Sequence, residues 1–179
     1  MAPLIFRLML ASDASSVGAL HAASWRSAYR GILSDDYLAG DVELDRAVVW
    51  KRRFDAPDET RFGVMAELGG VPVGFVYVIA SADVVWGNLI DNLHVSPEAR
   101  SSGIGPQLLA RAAGEIEERG WDRRMHLWVY DANTRARAFY ARIGGREVES
   151  IIEKDTPDSG VAKSWRVAWP DVSALLPDG

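Results

Sequence analysis

The chain has 179 residues, a formal net charge of −5 and no cysteine. This length fits a single domain with a full hydrophobic core, and the acidic balance argues against a nucleic-acid-binding surface, which would be basic. The absence of cysteine excludes disulfides, thiolate metal ligands and cysteine nucleophiles.

The N-terminal stretch "MAPLIFRLML" carries Arg7 inside its apolar run and has no basic flank before it. It therefore reads as a first strand and not as a signal peptide. The three histidines, at positions 21, 94 and 126, show no metal-ligand spacing. No apolar run approaches the roughly 18 residues of a membrane span. We expect a cytoplasmic protein that binds no metal, membrane or nucleic acid.

Hydrophobic periodicity and turn residues predict the secondary structure in chain order. A strand at 5–10 is followed by a helix to about residue 30, which Gly31 ends, and by a second helical region at 34–54 that breaks near Gly40. A β-hairpin follows at 61–80 and a strand at 88–95. After a glycine-rich turn, a helix extends to about residue 119. The chain continues with a strand at 124–130, a helix at 133–145, and strands at 146–153 and 161–169. The order β-α-α-β-β-β-α-β-α-β-β indicates one α/β domain spanning residues 1–179. The strands at 88–95 and 124–130 should be parallel, because a helix connects them.

The six residues "RSSGIG", at positions 100–105, form a glycine-rich turn between a strand and a helix. Free backbone N–H groups and the helix dipole favour an anion at such a point. Gly103 and Gly105 would allow close approach, Arg100 adds positive charge, and Ser101 and Ser102 add hydroxyl donors. The alternative is that the glycines only punctuate the helix.

Two common phosphate-binding motifs do not match this turn. No Lys-Ser or Lys-Thr pair follows the glycines, as a P-loop requires, and Leu108 stands where a dinucleotide fingerprint has its third glycine. A protein that binds ATP or NAD through this turn is therefore a weaker hypothesis.

The stretch "NLHVSPEARSSGIGPQLL" resembles motif A of the GNAT superfamily of acetyl-CoA-dependent N-acetyltransferases, through Arg100, Gly103 and Gly105. Downstream, "NTRARAFYARIGG" resembles the second signature of that family through Asn133, Ala136, Phe139, Tyr140 and Gly144. The resemblance covers nearly the whole chain. It implies a single mixed central sheet of about seven strands with about four helices on both faces.

The resemblance also implies that acetyl-CoA is the co-substrate. Its pyrophosphate would sit on the backbone of residues 100–105, and its pantetheine arm would pair with the end of the strand at 88–95. The implied cofactor-binding residues are Leu93, His94, Val95, Arg100, Ser101, Ser102, Gly103, Ile104, Gly105, Asn133, Ala136 and Tyr140. The chain departs from the family pattern at Pro106, which removes a donor, and at Gly145, where an aromatic residue is usual.

For the chemistry, the resemblance implies that Tyr140 is the general acid that protonates the departing thiolate, and a phenol with a pKa of about 10 suits that role. The base is either Asp91 or a water molecule. Asp91 is the only carboxylate in its strand, so it is either functional or salt-bridged. His94 is a second candidate base, which simple strand alternation places on the face opposite Asp91.

In this family the acceptor pocket is formed by the first helices and the last hairpin. We expect Trp25, Tyr29 and Trp128 to bind substrate, in an aromatic pocket that suits a cationic or aromatic amine, although Trp25 and Tyr29 could also belong to the core. We expect the acceptor to be a small-molecule or peptide amine. The sequence is compatible with either a monomer or a homodimer. The alternative from another class is a non-catalytic acyl-CoA-binding or regulatory module on the same fold.

Overall fold

The computed structural model describes residues 2–177. The strands are β1 (Leu4–Leu8), β2 (Arg61–Leu68), β3 (Val71–Asp83), β4 (Gly87–Val95), β5 (Met125–Tyr130), β6 (Arg146–Glu153) and β7 (Ala162–Trp169). The helices are α1 (Ala14–Ala28), α2 (Asp35–Ala39), α3 (Val42–Asp55), α4 (Ile104–Glu118) and α5 (Thr134–Arg142). The described residues form five α-helices where about four were expected, because the predicted break near Gly40 separates α2 from α3.

All seven strands form one mixed sheet in the order β1-β2-β3-β4-β5-β7-β6. Only β4 and β5 run parallel, and α4 connects them, as the sequence predicts. A connection between parallel neighbours must cross the sheet, and a helix of this length is the usual solution. The α/β architecture with a single seven-stranded sheet is therefore confirmed.

The parallel pairing of β4 with β5 is short. It is limited to Asn88 opposite Met125 and Leu89 opposite His126. Beyond these two pairs the strands are no longer paired with each other, although both continue for several residues. The backbone of β4 toward Val95 is therefore left without a β5 partner, which opens a gap in the middle of the sheet.

The register of β4 against β3 shifts at the same place. Tyr77 pairs with Asn92, whereas the next residue, Val78, pairs with Ile90, so Asp91 is an extra residue opposite the β3 ladder. A bulge of this kind interrupts the strict alternation of side chains along a strand. It changes which residues of β4 share a face.

Helices cover both faces of the sheet. On one face, α4 and α5 pack against the sheet. The predicted apolar stripe of α4, at positions 104, 108, 109, 112 and 116, is buried there. On the other face, α1 and α3 bury Val17, Trp50 and Phe75 against the sheet. The sheet thus separates the cluster under α4 and α5 from the one under α1 and α3, and a third cluster, around Ala22, Leu38 and Val42, joins α1, α2 and α3.

Candidate active site

A cleft of about 590 Å³ lies where the end of β4, the start of α4 and the helix α5 meet. Eight of the predicted cofactor-binding residues line it, namely Leu93, Val95, Arg100, Ser101, Gly103, Ile104, Gly105 and Tyr140. They come from two segments about 40 residues apart in the chain. The structure thus brings the two sequence signatures together around one cavity.

Four predicted residues do not line this cleft. Asn133 caps α5, since its side-chain oxygen accepts a 3.2 Å hydrogen bond from the backbone N–H of Ala136. Ala136 packs against the core, and the hydroxyl of Ser102 donates to the carbonyl of Ala99. His94 contacts α1 instead of the cleft. For Asn133, Ala136 and Ser102 the structure therefore shows local structural contacts.

The turn before α4 has an unusual backbone. Ser101 and Gly103 both have positive φ, of 66° and 78°, and Gly103 is the N-cap of α4. A left-handed serine is strained, which is typical of loops held in a functional shape. No side chain accepts a hydrogen bond from the first turn of α4 at this cap. The N–H groups at the start of the helix therefore have no side-chain acceptor at the cap, and the helix dipole there favours negative charge.

Arginines supply positive charge to the cleft from two elements. The motif residue Arg100 turns toward α1, where its guanidinium donates to Ser27 Oγ at 2.6 Å and to the carbonyl of Ser24 at 3.2 Å. From α5, Arg135 donates to Ser101 Oγ at 3.3 Å, at the turn itself. Burial lowers the pKa of Arg100, and the charge of Arg135 adds to this shift.

The helix α5 contributes more to the cleft than the predicted Tyr140. Arg135, Phe139 and Arg142 also line it. Their spacing of four and then three residues places all three on one helical face, so helical periodicity in the sequence could have predicted that they lie together. The two added arginines strengthen the positive character of the cleft.

Tyr140 lies at the inner end of the cleft and is only 9% exposed. Its ring packs edge-on against Trp169, with 6.1 Å between the ring centroids. Burial raises the pKa of Tyr140 above its usual range, and the neighbouring phenol of Tyr29 adds to this effect. The hydroxyl therefore stays protonated at neutral pH and is available as a proton donor.

Asp91 is salt-bridged. Its carboxylate is 2.5 Å from Nη2 of Arg53 on α3, and both side chains are about three-quarters buried. The guanidinium of Arg53 also lies 4.8 Å from the ring of Trp50 and 4.9 Å from that of Tyr77. Of the two roles expected for Asp91, the structure shows the ion pair.

His94 lies on the same side of the sheet as Asp91, which corrects the expectation from simple alternation. Its Nδ1 is 3.0 Å from Ser24 Oγ of α1, while Asp91 contacts α3 on that same face. The bulge at Asp91 accounts for the difference, because the extra residue shifts the alternation of β4 by one. Burial, together with the charges of Arg100 and Arg46, lowers the pKa of His94 to about 3.

A second cavity, of about 380 Å³, lies beside Asp91 on the α1–α3 side of the sheet. The three predicted substrate-binding residues, Trp25, Tyr29 and Trp128, all line it, together with Tyr130. The rings of Trp25 and Tyr29 are 5.3 Å apart, as are those of Tyr29 and Tyr130. The cavity therefore has aromatic walls, and Trp25 is at the same time a core residue with Tyr29 packed against its cluster, which is the alternative role expected for these two residues.

The aromatic cavity borders the gap in the sheet, because Asn92 of β4 and Tyr130 of β5 both line it beyond the last β4–β5 pair. Tyr29 also lines this cavity, and its phenol adds to the effect of burial on the pKa of Tyr140. Tyr140 itself lines the other cleft, on the opposite side of the sheet. A reactant in each cavity could therefore meet at the gap between β4 and β5.

Within residues 2–177, no group of histidine, aspartate and glutamate side chains is arranged to hold a metal ion. The described helices also include none that is long and apolar enough to cross a membrane.

Comparison with known proteins identifies the family. The family described as "Acetyltransferase (GNAT) family" matches residues 20–145. The chain is 32% identical, over 73% of its length and 72% of the relative's, to "Probable N-acetyltransferase Rv2775" of Mycobacterium tuberculosis. It is 28% identical to "Uncharacterized N-acetyltransferase YuaI" of Bacillus subtilis, over 91% of both chains.

A solved structure gives the same answer for the fold. The PaiA N-acetyltransferase of Thermoplasma acidophilum, crystallised in complex with coenzyme A, superposes with a TM-score of 0.73 at 18% identity. The match covers 93% of this chain and 99% of that one. With the paired signatures gathered around one cleft and the family match over most of the chain, the protein belongs to the GNAT family of acetyltransferases and is an N-acetyltransferase.

Proposed function

We propose that the chain binds acetyl-CoA in the arginine-lined cleft and transfers the acetyl group directly to an amine held in the aromatic cavity. The observation that carries this proposal is the turn before α4, where left-handed Ser101 and Gly103 precede a helix start with free N–H groups. The pyrophosphate would sit there, since backbone N–H groups and the helix dipole both favour an anion. Arg135 would add charge from α5.

The pantetheine arm would enter the gap between β4 and β5. The backbone of β4 from Leu93 to Val95 has no partner on the β5 side, so its polar groups can pair with an extended chain. Backbone N–H groups at this point would also stabilise the oxyanion of the tetrahedral intermediate.

Tyr140 is the proposed general acid. The amine nitrogen attacks the thioester carbonyl carbon, the C–S bond breaks, and Tyr140 donates its hydroxyl proton to the departing sulfur. Its raised pKa keeps that proton in place until a strongly basic thiolate forms. The ammonium form of the amine first loses a proton to water, which frees the lone pair for attack. A second proton leaves the nitrogen through water as the amide forms and restores the hydroxyl of Tyr140. Water serves as the base because the carboxylate of Asp91 is held by Arg53.

Calorimetric titration with acetyl-CoA, using dephospho-CoA and ATP as comparators, tests the cofactor assignment. We expect binding of acetyl-CoA and none of ATP, and competition by ATP would instead support a nucleotide-binding protein. Release of free thiol in the presence of a panel of amines tests the transfer. Tight binding of acetyl-CoA without thiol release from any amine would favour a non-catalytic acyl-CoA-binding module.

A further inference from the structure

The aromatic cavity contains a carboxylate that has no cationic partner. Glu153, the last residue of β6, lines this cavity and is half-buried. Its carboxylate accepts a hydrogen bond from the hydroxyl of Ser164 on β7. No arginine or lysine among residues 2–177 forms an ion pair with it, in contrast to Asp91 in the same cavity.

Glu153 lines the same cavity as the phenol rings of Tyr29 and Tyr130, whose centroids are 5.3 Å apart. Burial raises the pKa of Tyr29 to about 12, and the negative charge of Glu153 adds to that shift. The same charge also helps to raise the pKa of Tyr130. Ser164 is the cross-strand partner of Tyr130, and such partners share one face of a sheet. The hydrogen bond from Ser164 therefore holds Glu153 on the face of the sheet where these rings lie.

The two arginines of the cavity do not neutralise Glu153. Arg46 Nη2 is 2.7 Å from Asp45, and its guanidinium lies 4.4 Å from the ring of Trp25. Arg53 is paired with Asp91. Each arginine thus has a carboxylate of its own, and the exposed Asp155 adds a further negative charge to the lining. A half-buried anion that has no cationic partner among the described residues favours binding of a cation.

We propose that Glu153 binds the ammonium group of the acceptor and that the acceptor class is a small alkylamine. This inference rests on the proposed function of the aromatic cavity. An alkylamine with a pKa of about 10 arrives protonated at neutral pH. The carboxylate of Glu153 pairs with that charge, and the faces of Tyr29 and Tyr130 add cation–π attraction. Because Asn92 of β4 and Tyr130 of β5 both line this cavity, an amine bound there lies beside the gap in the sheet.

Steady-state kinetics with the best alkylamine of the panel tests this role. Glu153→Gln keeps the size of the side chain and removes its charge. A charge-assisted hydrogen bond contributes about 1.5–3 kcal/mol, so KM for the amine should rise about tenfold or more. KM for acetyl-CoA should change by less than about twofold, since Glu153 lies outside the cofactor cleft. Glu153→Asp should recover part of the loss, and Glu59→Gln, an exposed residue on a loop, is the matched control.

A second readout does not depend on turnover. A trialkylammonium ion cannot be acetylated, but it should bind the cavity, compete with the amine and alter the fluorescence of Trp25 and Trp128. Glu153→Gln should weaken that binding about tenfold as well. Unchanged amine KM and unchanged trialkylammonium binding in this variant would overturn the proposal. A wild-type protein that binds the trialkylammonium ion through Glu153 but transfers no acetyl group would instead contradict the proposed function alone.

Discussion

Arg53 on α3 donates a 2.5 Å hydrogen bond to Asp91 at the bulge of β4. The ion pair depends on the bulge, because the extra residue in β4 turns Asp91 toward the helix that carries Arg53. The guanidinium also lies 4.8 Å from the ring of Trp50 and 4.9 Å from that of Tyr77, and these cation–π contacts favour the same position. The one carboxylate of β4 therefore forms an ion pair that joins α3 to the sheet.

The first prediction concerns this pair. Asp91→Asn leaves the buried guanidinium of Arg53 without a counter-charge, and we expect a loss of about 1–3 kcal/mol in the free energy of unfolding. If Asp91 is structural, kcat should fall by the same factor at every pH between 6 and 9. Denaturant unfolding and a pH–rate profile measure the two effects. A loss confined to low pH would instead identify Asp91 as the base.

A double-mutant cycle separates the ion pair from other effects of the change. Arg53→Gln and Asp91→Asn should each destabilise the protein, and the double variant should lose less than the sum of the two. Additive losses would mean that the two side chains do not stabilise each other.

The second prediction concerns the proposed acid. Tyr140→Phe preserves the packing of the ring against Trp169 and removes only the hydroxyl. We expect kcat to fall about 10²-fold or more, with little change in KM for acetyl-CoA, because general acid catalysis acts in the transition state. Tyr77→Phe, another buried tyrosine, is the control and should keep its activity.

Since burial raises the pKa of Tyr140, the wild-type rate should show no loss from its ionisation up to about pH 10. Full activity of Tyr140→Phe would refute the acid assignment.

The parts of the site that follow from local sequence could be predicted. The glycine turn, the apolar stripe of α4 and the position of Tyr140 on α5 depend on neighbours within one or two helical turns. Patterns of that range are visible in a single sequence. The splitting of the second helical region near Gly40 was also visible, because glycine is a poor helix former.

The rest depends on contacts between residues far apart in the chain. Asp91 and Arg53 are 38 positions apart, and Arg100 meets Ser27 across 73 positions. Nothing in the motif around Arg100 indicates that its guanidinium turns toward α1. The shift of His94 to the face of Asp91 has the same origin, because a bulge depends on the pairing of two strands and leaves no local signature.

The third prediction follows from the two arginines near the turn. Arg100 is held by hydrogen bonds to α1, whereas Arg135 contacts the turn through Ser101. We therefore expect Arg135→Gln to weaken acetyl-CoA binding about tenfold, with an effect that shrinks at high salt. Calorimetry at two salt concentrations measures this. Arg146→Gln, an exposed residue outside the cleft, is the control and should bind normally.

The fourth prediction uses the close approach of α4 to α5. A Cβ atom at Gly105 would lie 3.3 Å from the ring of Phe139, which itself lines the cleft. Gly105→Val should therefore lose acetyl-CoA binding by crowding the turn and displacing that ring. Adding Phe139→Leu relieves the second effect only, so binding should stay weak in the double variant if the pyrophosphate sits at the turn.

Gly114→Ala is the matched glycine control in the same helix. Its added methyl group meets no atom within 4 Å, so we expect unchanged binding and a gain of about 0.5–1 kcal/mol in stability. Normal acetyl-CoA binding by the Gly105→Val, Phe139→Leu double variant would refute the placement of the pyrophosphate.

The last prediction concerns stability at acidic pH. His94 has a pKa of about 3 in the folded protein, against about 6.5 when unfolded. Between these values the unfolded chain binds a proton that the folded chain does not, so the free energy of unfolding falls as the pH drops below 6.5. His94 alone should cost up to about 2 kcal/mol between pH 7 and pH 5. His21, whose pKa burial also lowers, acts in the same direction.

His94→Gln keeps a polar group near Ser24 and cannot take up this proton. Unfolding by denaturant at pH 7 and pH 5 should therefore show a smaller loss of stability in the variant than in the wild type, while His21 maintains part of the slope. Equal losses in both proteins would mean that His94 is protonated in the folded state at pH 5. The imidazole would then carry a charge beside Arg46 and Arg100, a situation that the burial of this ring opposes.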